Sequence, residues 1–163
     1  MNLRAYFVPP PLRRHIERYA QTHRHRVNQA LHYIGIPLAV IAALGALAKV
    51  RMTAFDGPDL LQPNLGLALL VVGCGFYLWV SPGAGVLLLI GGIAGYVAGS
   101  PLPLSWLGAM AAFAFALHTF GHYVFEKKPP AFFSRPMAAL EAPAWLVARL
   151  TGVDPQPSGE PGA

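Results

Sequence analysis

A chain of 163 residues makes one domain, and its 55% hydrophobic and 12% charged composition departs from the roughly 25% charged residues of a soluble domain. No Asp, Glu, Lys or Arg occurs from Leu60 to Phe125, a run of 66 residues. As helix that run extends about 99 Å, enough for three crossings of a hydrocarbon layer about 30 Å thick, which excludes an ordinary soluble core.

The formal charge of +5 does not point to nucleic acid, because no groove-reading motif accompanies it. Six of the twelve basic residues precede the first apolar run and four follow the last. Such flanking clusters follow the cytoplasmic bias of Lys and Arg in membrane proteins. The single cysteine, Cys74, lies in an apolar run and reads as a small buried hydrophobe. No cleavable signal peptide is expected, since the first apolar run comes late and is too long.

In chain order, Pro9 to Pro11 are expected to stop any earlier structure. Leu12 to Gln21 then reads as a short basic amphipathic helix, with Leu12, Ile16 and Tyr19 on one stripe suited to lying on headgroups. The first span is predicted over 31–48, followed by turn signals at Asp56-Gly57-Pro58-Asp59 and Pro63-Asn64. Further spans are predicted over 65–80, 84–98 and 104–125. In the third, Gly91 and Gly95 form a small-xxx-small pair for close helix packing. Trp106 and Tyr123 anchor the fourth at its two ends. Ala138 to Leu150, carrying Trp145, reads as a second surface-lying helix, and 153–163 as a flexible tail after a single membrane domain over 1–152. The predicted fold is therefore an all-α membrane bundle of about four transmembrane helices with short amphipathic flanking helices.

Four spans return the chain to its starting side. Both termini are then expected in the cytoplasm, and the start of the first span meets the end of the fourth. Five of the six histidines fall in those two places: His23, His25, His32, His118 and His122. On a helix, His118, His122 and Glu126 share one face at i, i+4, i+8, and Asn28 and His32 share another. His23 joins that face only if the helix begins after it. An i, i+4 pair of imidazoles suits a shared metal, and polar groups at the ends of apolar helices generally face the bundle interior. Any single histidine is as easily an interfacial hydrogen-bonding residue; five gathered by topology favour a metal site. Glu126 is a candidate ligand, a group that orients a ligating imidazole, or a surface ion-pair partner.

His23-Arg-His-Arg-Val-Asn28-Gln-Ala-Leu-His32-Tyr-Ile-Gly35-Ile-Pro37 and Gly121-His122-Tyr-Val-Phe125-Glu126-Lys127-Lys-Pro-Pro130-Ala131 resemble the two signatures of a family of small membrane 2-hydroxy fatty acid dioxygenases. The resemblance implies α-oxidation dependent on Fe(2+), in which a 2-hydroxy fatty acid and dioxygen give a fatty acid one carbon shorter. His23, Asn28, His32, Gly121, His122 and Glu126 fall on matching positions. His118 departs, since the family usually has Gln there, and stands as an additional candidate ligand. The resemblance thus implies His23, His32 and His122 as metal residues, with Asn28 and Glu126 in catalysis, while His118 either adds a metal ligand or replaces one supporting polar group by another. Arg24 and Lys127 are candidates to attract the substrate carboxylate, or only topology charges. The bilayer would hold the acyl chain between apolar helices, and the expected location is a bacterial inner membrane, with homo-oligomerisation left open. A haem-binding carrier, a zinc-dependent lipid hydrolase and a structural membrane protein without catalysis are the alternatives.

Overall fold

The computed structural model describes residues 6–52, 58–135 and 138–153. Asp56 and Gly57 of the predicted turn, and the tail after Val153, lie outside the described residues. The order is α1 (Pro10–Gln21), α2 (Arg26–Ala48), α3 (Leu65–Val80), α4 (Pro82–Gly99), α5 (Leu104–Phe120), a π-helical segment (Gly121–Glu126) and α6 (Ala138–Leu150). Short 3-10 turns at Asp59–Leu61 and Ala131–Phe133 complete it.

The chain is an all-α membrane bundle. Three helices, Arg26–Ala48, Pro82–Gly99 and Leu104–Glu126, are long and apolar enough to cross a membrane. The fourth, α3, has sixteen residues, about 24 Å, and forms a hairpin with α4. α2 is central and packs on α3, α4 and α5.

The helix starts differ from expectation for definable reasons. The prolines at 10 and 11 form the first turn of α1, two residues ahead of the predicted start at Leu12, because the first turn has no use for the N–H that proline lacks. Pro82 opens α4 in the same way, with the Ser81 side chain accepting from the Ala84 N–H. α2 starts at Arg26, five residues before the apolar run, with His25 as its N-cap. Burial at this end is therefore of polar side chains, Asn28 and His32.

Close packing of α2 on α4 uses Gly99 and Gly45, not Gly91. A Cβ added at Gly99 would stand 2.5 Å from the Ile41 carbonyl oxygen, whereas one at Gly91 would meet nothing within 4 Å. Gly95 does face α2, against Val40, Ile41 and Leu44. Cys74 is buried with Leu44, Leu70 and Tyr96, and Trp106 and Tyr123 are exposed as anchors should be.

The flanking helices depart most from the prediction. α1 and α6 pack on each other across one end of the bundle. Leu12, Ile16 and Tyr19 from α1 form one core with Ala144, Trp145 and Ala148 from α6. The apolar stripe of α1 is covered by protein, so neither helix simply lies on headgroups. A buried carboxylate helps hold this cap: Glu141 of α6 accepts from Arg135 at 2.8 Å and pairs with His15 of α1 at 2.9 Å.

Candidate metal centre

The cap covers the histidines. α2 supplies His32 and the π-helical segment supplies His122, while His23 lies in the turn before α2. All three are buried, and one ring nitrogen from each lies within 4.8 Å of the others. His23 Nε2 is 3.0 Å from His32 Nε2 and 3.0 Å from His122 Nε2.

Hydrogen bonding fixes which nitrogen bears the proton. His23 Nδ1 donates to the Tyr19 carbonyl at 2.7 Å and His32 Nδ1 to the Asn28 carbonyl at 2.8 Å, each four residues back. His118 Nδ1 does the same to Ala114 at 2.6 Å. A neutral imidazole has one N–H, so the Nε2 atoms of His23 and His32 both present lone pairs. Two lone pairs 3.0 Å apart repel, and a shared cation turns that repulsion into attraction. A proton is a poor choice of cation here, because burial pushes the His23 imidazole down to about 2, with His32 beside it adding to the effect. A metal ion fits. With metal–nitrogen bonds of about 2.1 Å, donors at right angles stand about 3.0 Å apart. The three Nε2 atoms, 3.0 Å apart in two pairs, would hold a single ion.

The remaining candidates fall around this trio. His118 stacks edge-on to His32, ring centroids 4.3 Å apart, but is not among the converging three. Its ring occupies the space left by a missing side chain: a Cβ on Gly35 would lie 2.5 Å from His118 Cε1. Glu126 accepts from the His25 backbone N–H at 2.8 Å and from Asn28 Nδ2 at 3.0 Å. It therefore caps the N-terminus of α2, where a carboxylate is favoured, and fixes Asn28. Gly121 makes room for that residue, since a Cβ there would collide with Asn28 Oδ1. Two buried atoms, Asn28 Oδ1 and His122 Nδ1, have no hydrogen-bond partner. The π-helical segment carries Gly121 and His122 against α2, and π turns of this kind occur often at functional sites. It ends at Lys127, whose left-handed φ of 54° turns the chain so that the Lys128 N–H also reaches the His122 carbonyl, at 3.3 Å. Arg24 and Lys127 are exposed, and His25 caps α2 and stacks on Phe125.

Sequence reasoning missed what closes the site. Trp145, 1% exposed, lies against His23 with centroids 5.6 Å apart, and against Tyr19 at 5.3 Å. Tyr19 stacks on His23 at 4.0 Å, and burial keeps its hydroxyl protonated well beyond the ordinary tyrosine range. Gln29 donates to the His23 carbonyl at 2.7 Å and accepts from Arg149 of α6, whose guanidinium also lies over Trp145. Nothing in the spacing of α6 links it to the histidines.

Inside lies a cavity of about 50 Å³, lined by His23, His32, His118, His122, Phe132 and Ala139 among others. Beside it a groove of about 500 Å³ runs between α2 and α5, and His118, Phe132 and Ala139 line both.

The fold and the buried trio define a helical membrane protein with a three-imidazole centre under a two-helix cap. The chain belongs to the 2-hydroxy-palmitic acid dioxygenase Mpo1-like family, whose model matches residues 10–153. No curated protein and no solved structure gives a significant match.

Proposed function

We propose that the protein is an iron(II)-dependent dioxygenase that converts a 2-hydroxy fatty acid into the fatty acid one carbon shorter. The observation that carries this is the convergence of His23, His32 and His122, two of them with lone pairs forced together at 3.0 Å. The family description supports the substrate class.

The reaction balances without an external reductant. The hydroxy acid loses four electrons as C2 becomes a carboxylic acid and C1 leaves as carbon dioxide, and dioxygen takes those four electrons. Written out, one hydroxy acid and one dioxygen give one acid shorter by a carbon, one carbon dioxide and one water. Iron(II), held by the three imidazoles, would supply the redox chemistry that spin-paired organic groups lack with dioxygen.

The protein side chains have separate tasks. Nδ1–H bonds to the Tyr19 and Asn28 carbonyls turn the Nε2 atoms of His23 and His32 inward. Glu126 holds Asn28 and the start of α2. Tyr19 and Trp145 exclude water from the imidazoles. Arg24 and Lys127, on the exposed side, would attract the incoming carboxylate at long range. The basic bias of the two flanks supports a cytoplasmic cap with both termini on that side of a bacterial inner membrane.

Purified protein should contain about one iron per chain, and His32→Ala or His122→Ala should lose it. 2-Hydroxypalmitate should give pentadecanoate and carbon dioxide only with iron(II) and oxygen. Full turnover by iron-free protein would refute the proposal.

A further inference from the structure

We infer that the groove between α2 and α5 holds the acyl chain of the substrate, and that Gly108 and Ala111 set how long a chain it accepts. This rests on the dioxygenase reading for the identity of the chain's head, and on the groove itself for its tail.

The cavity at the histidines, about 50 Å³, is of the order of one or two waters and takes a head group at most. A long tail has to leave it. The groove of about 500 Å³ begins where the cavity ends, with His118, Phe132 and Ala139 common to both. From there it follows α5 back to Leu104, past Ala114, Ala111 and Gly108, and faces Ala39, Ala43 and Ala46 on α2. Small residues on both walls leave the volume open, and the lining beyond His118 is apolar throughout.

The dimensions suit a long chain. Leu104 and His118 are fourteen positions apart on α5, about 21 Å of helix. An extended chain advances about 1.2 Å per bond, taking three backbone bonds per residue, so the groove accommodates about seventeen bonds. A bulk lipid tail would also fit an apolar groove open to the bilayer. What favours the substrate is the head of the groove: a polar ring, His118, pressed against His32 of the trio.

The same ruler predicts where obstruction acts. Gly108 lies about 15 Å from His118 along the helix and Ala111 about 10 Å, or about twelve and about nine bonds. Gly108 lines the groove and a Cβ there meets nothing within 4 Å, so a larger residue has room at the groove wall without displacing the packed bundle.

The test uses the iron-loaded protein in nanodiscs with 2-hydroxy acids of about eight to about eighteen carbons. For Gly108→Phe the ratio of kcat/KM for the sixteen-carbon over the eight-carbon acid should fall about tenfold or more. Ala111→Phe should move the optimum to still shorter acids. Metal content and melting temperature, both held, show that the variants are folded. A chain-length profile identical in all three proteins overturns the inference.

A second readout does not depend on turnover. A 2-hydroxy acid carrying a diazirine near its methyl end should label α5 around Leu104–Ala111, should be displaced by excess 2-hydroxypalmitate, and should fail to label Gly108→Phe there. Labelling spread evenly over lipid-facing positions such as Val71 and Trp79 overturns the inference. Displaceable labelling in a protein that turns over no hydroxy acid would leave the groove standing as an acyl site and remove the dioxygenase reading.

Discussion

Removing the indole of Trp145 tests whether the cap is part of the proposed metal centre. Trp145 is 1% exposed and touches Tyr19, Tyr33, His23 and His32, with Arg149 over its ring. An aromatic side chain of this kind buries about 150–250 Å², worth about 4–6 kcal/mol at about 25 cal/mol per Å². α6 lies outside the spanning helices, so transfer from water is the right reference. Because Ala keeps its Cβ and the neighbours relax in part, Trp145→Ala should cost about 3–4 kcal/mol. Two measurements follow in the same nanodisc preparation: denaturant melts of the metal-free protein, and metal affinity by chelator competition. Affinity should fall about 10–100-fold, as when support around a ligating imidazole is lost. Trp145→Phe should recover more than half of both losses. A Trp145→Ala protein with unchanged melting and unchanged affinity would show that α6 merely rests against the site.

Other substitutions separate the roles of the surrounding groups. His118→Gln should keep full metal stoichiometry while His32→Ala loses it; equal loss in both would make His118 a fourth ligand. Gly35→Ala puts a Cβ 2.5 Å from His118 and should cost about 1–3 kcal/mol in melting experiments, relieved when combined with His118→Ala. Glu126→Ala leaves the His25 N–H and the Asn28 amide without their acceptor and should cost about 1–3 kcal/mol, with metal content retained. The metal-free protein should also lose stability in acid. The folded pKa of His23 lies below its unfolded value of 6.5, so the unfolded chain binds the extra proton and stability falls as pH drops below about 6.5. His23 should contribute a slope of about 1.4 kcal/mol per pH unit well below 6.5, so the acid loss should be shallower by that amount in His23→Gln; an identical pH dependence in the two proteins between 7 and 5 would contradict it.

The bundle was legible in the sequence because lipid imposes long charge-free runs, and the even number of apolar helices correctly brought two distant histidine segments to one end. The condition that α2 begin after His23 is also met, with His25 as N-cap. What local pattern could not convey was tertiary. The stripe of Leu12, Ile16 and Tyr19 signals an apolar partner without saying whether it is lipid or protein, and the partner is α6. Gly91 and Gly95 satisfied a spacing rule, yet only Gly95 faces α2, because helix rotation is set by neighbours. Spacing left the carboxylate of Glu126 three options. The fold gives it a fourth, holding Asn28 and the first turn of α2.

The wide separation of the converging imidazoles along the chain carries a consequence for biogenesis. His23 and His122 are 99 residues apart, and each meets the other only after every intervening helix has been inserted. A chain that ends before His122 lacks the trio, so until the last apolar helix has emerged it offers passing ions at most the His23–His32 pair. On the proposed reading, metal occupancy would report that the helices carrying all three histidines are in place, and a chain stalled before its last apolar helix would lack both His122 and α6, leaving the apolar face of α1 without its partner.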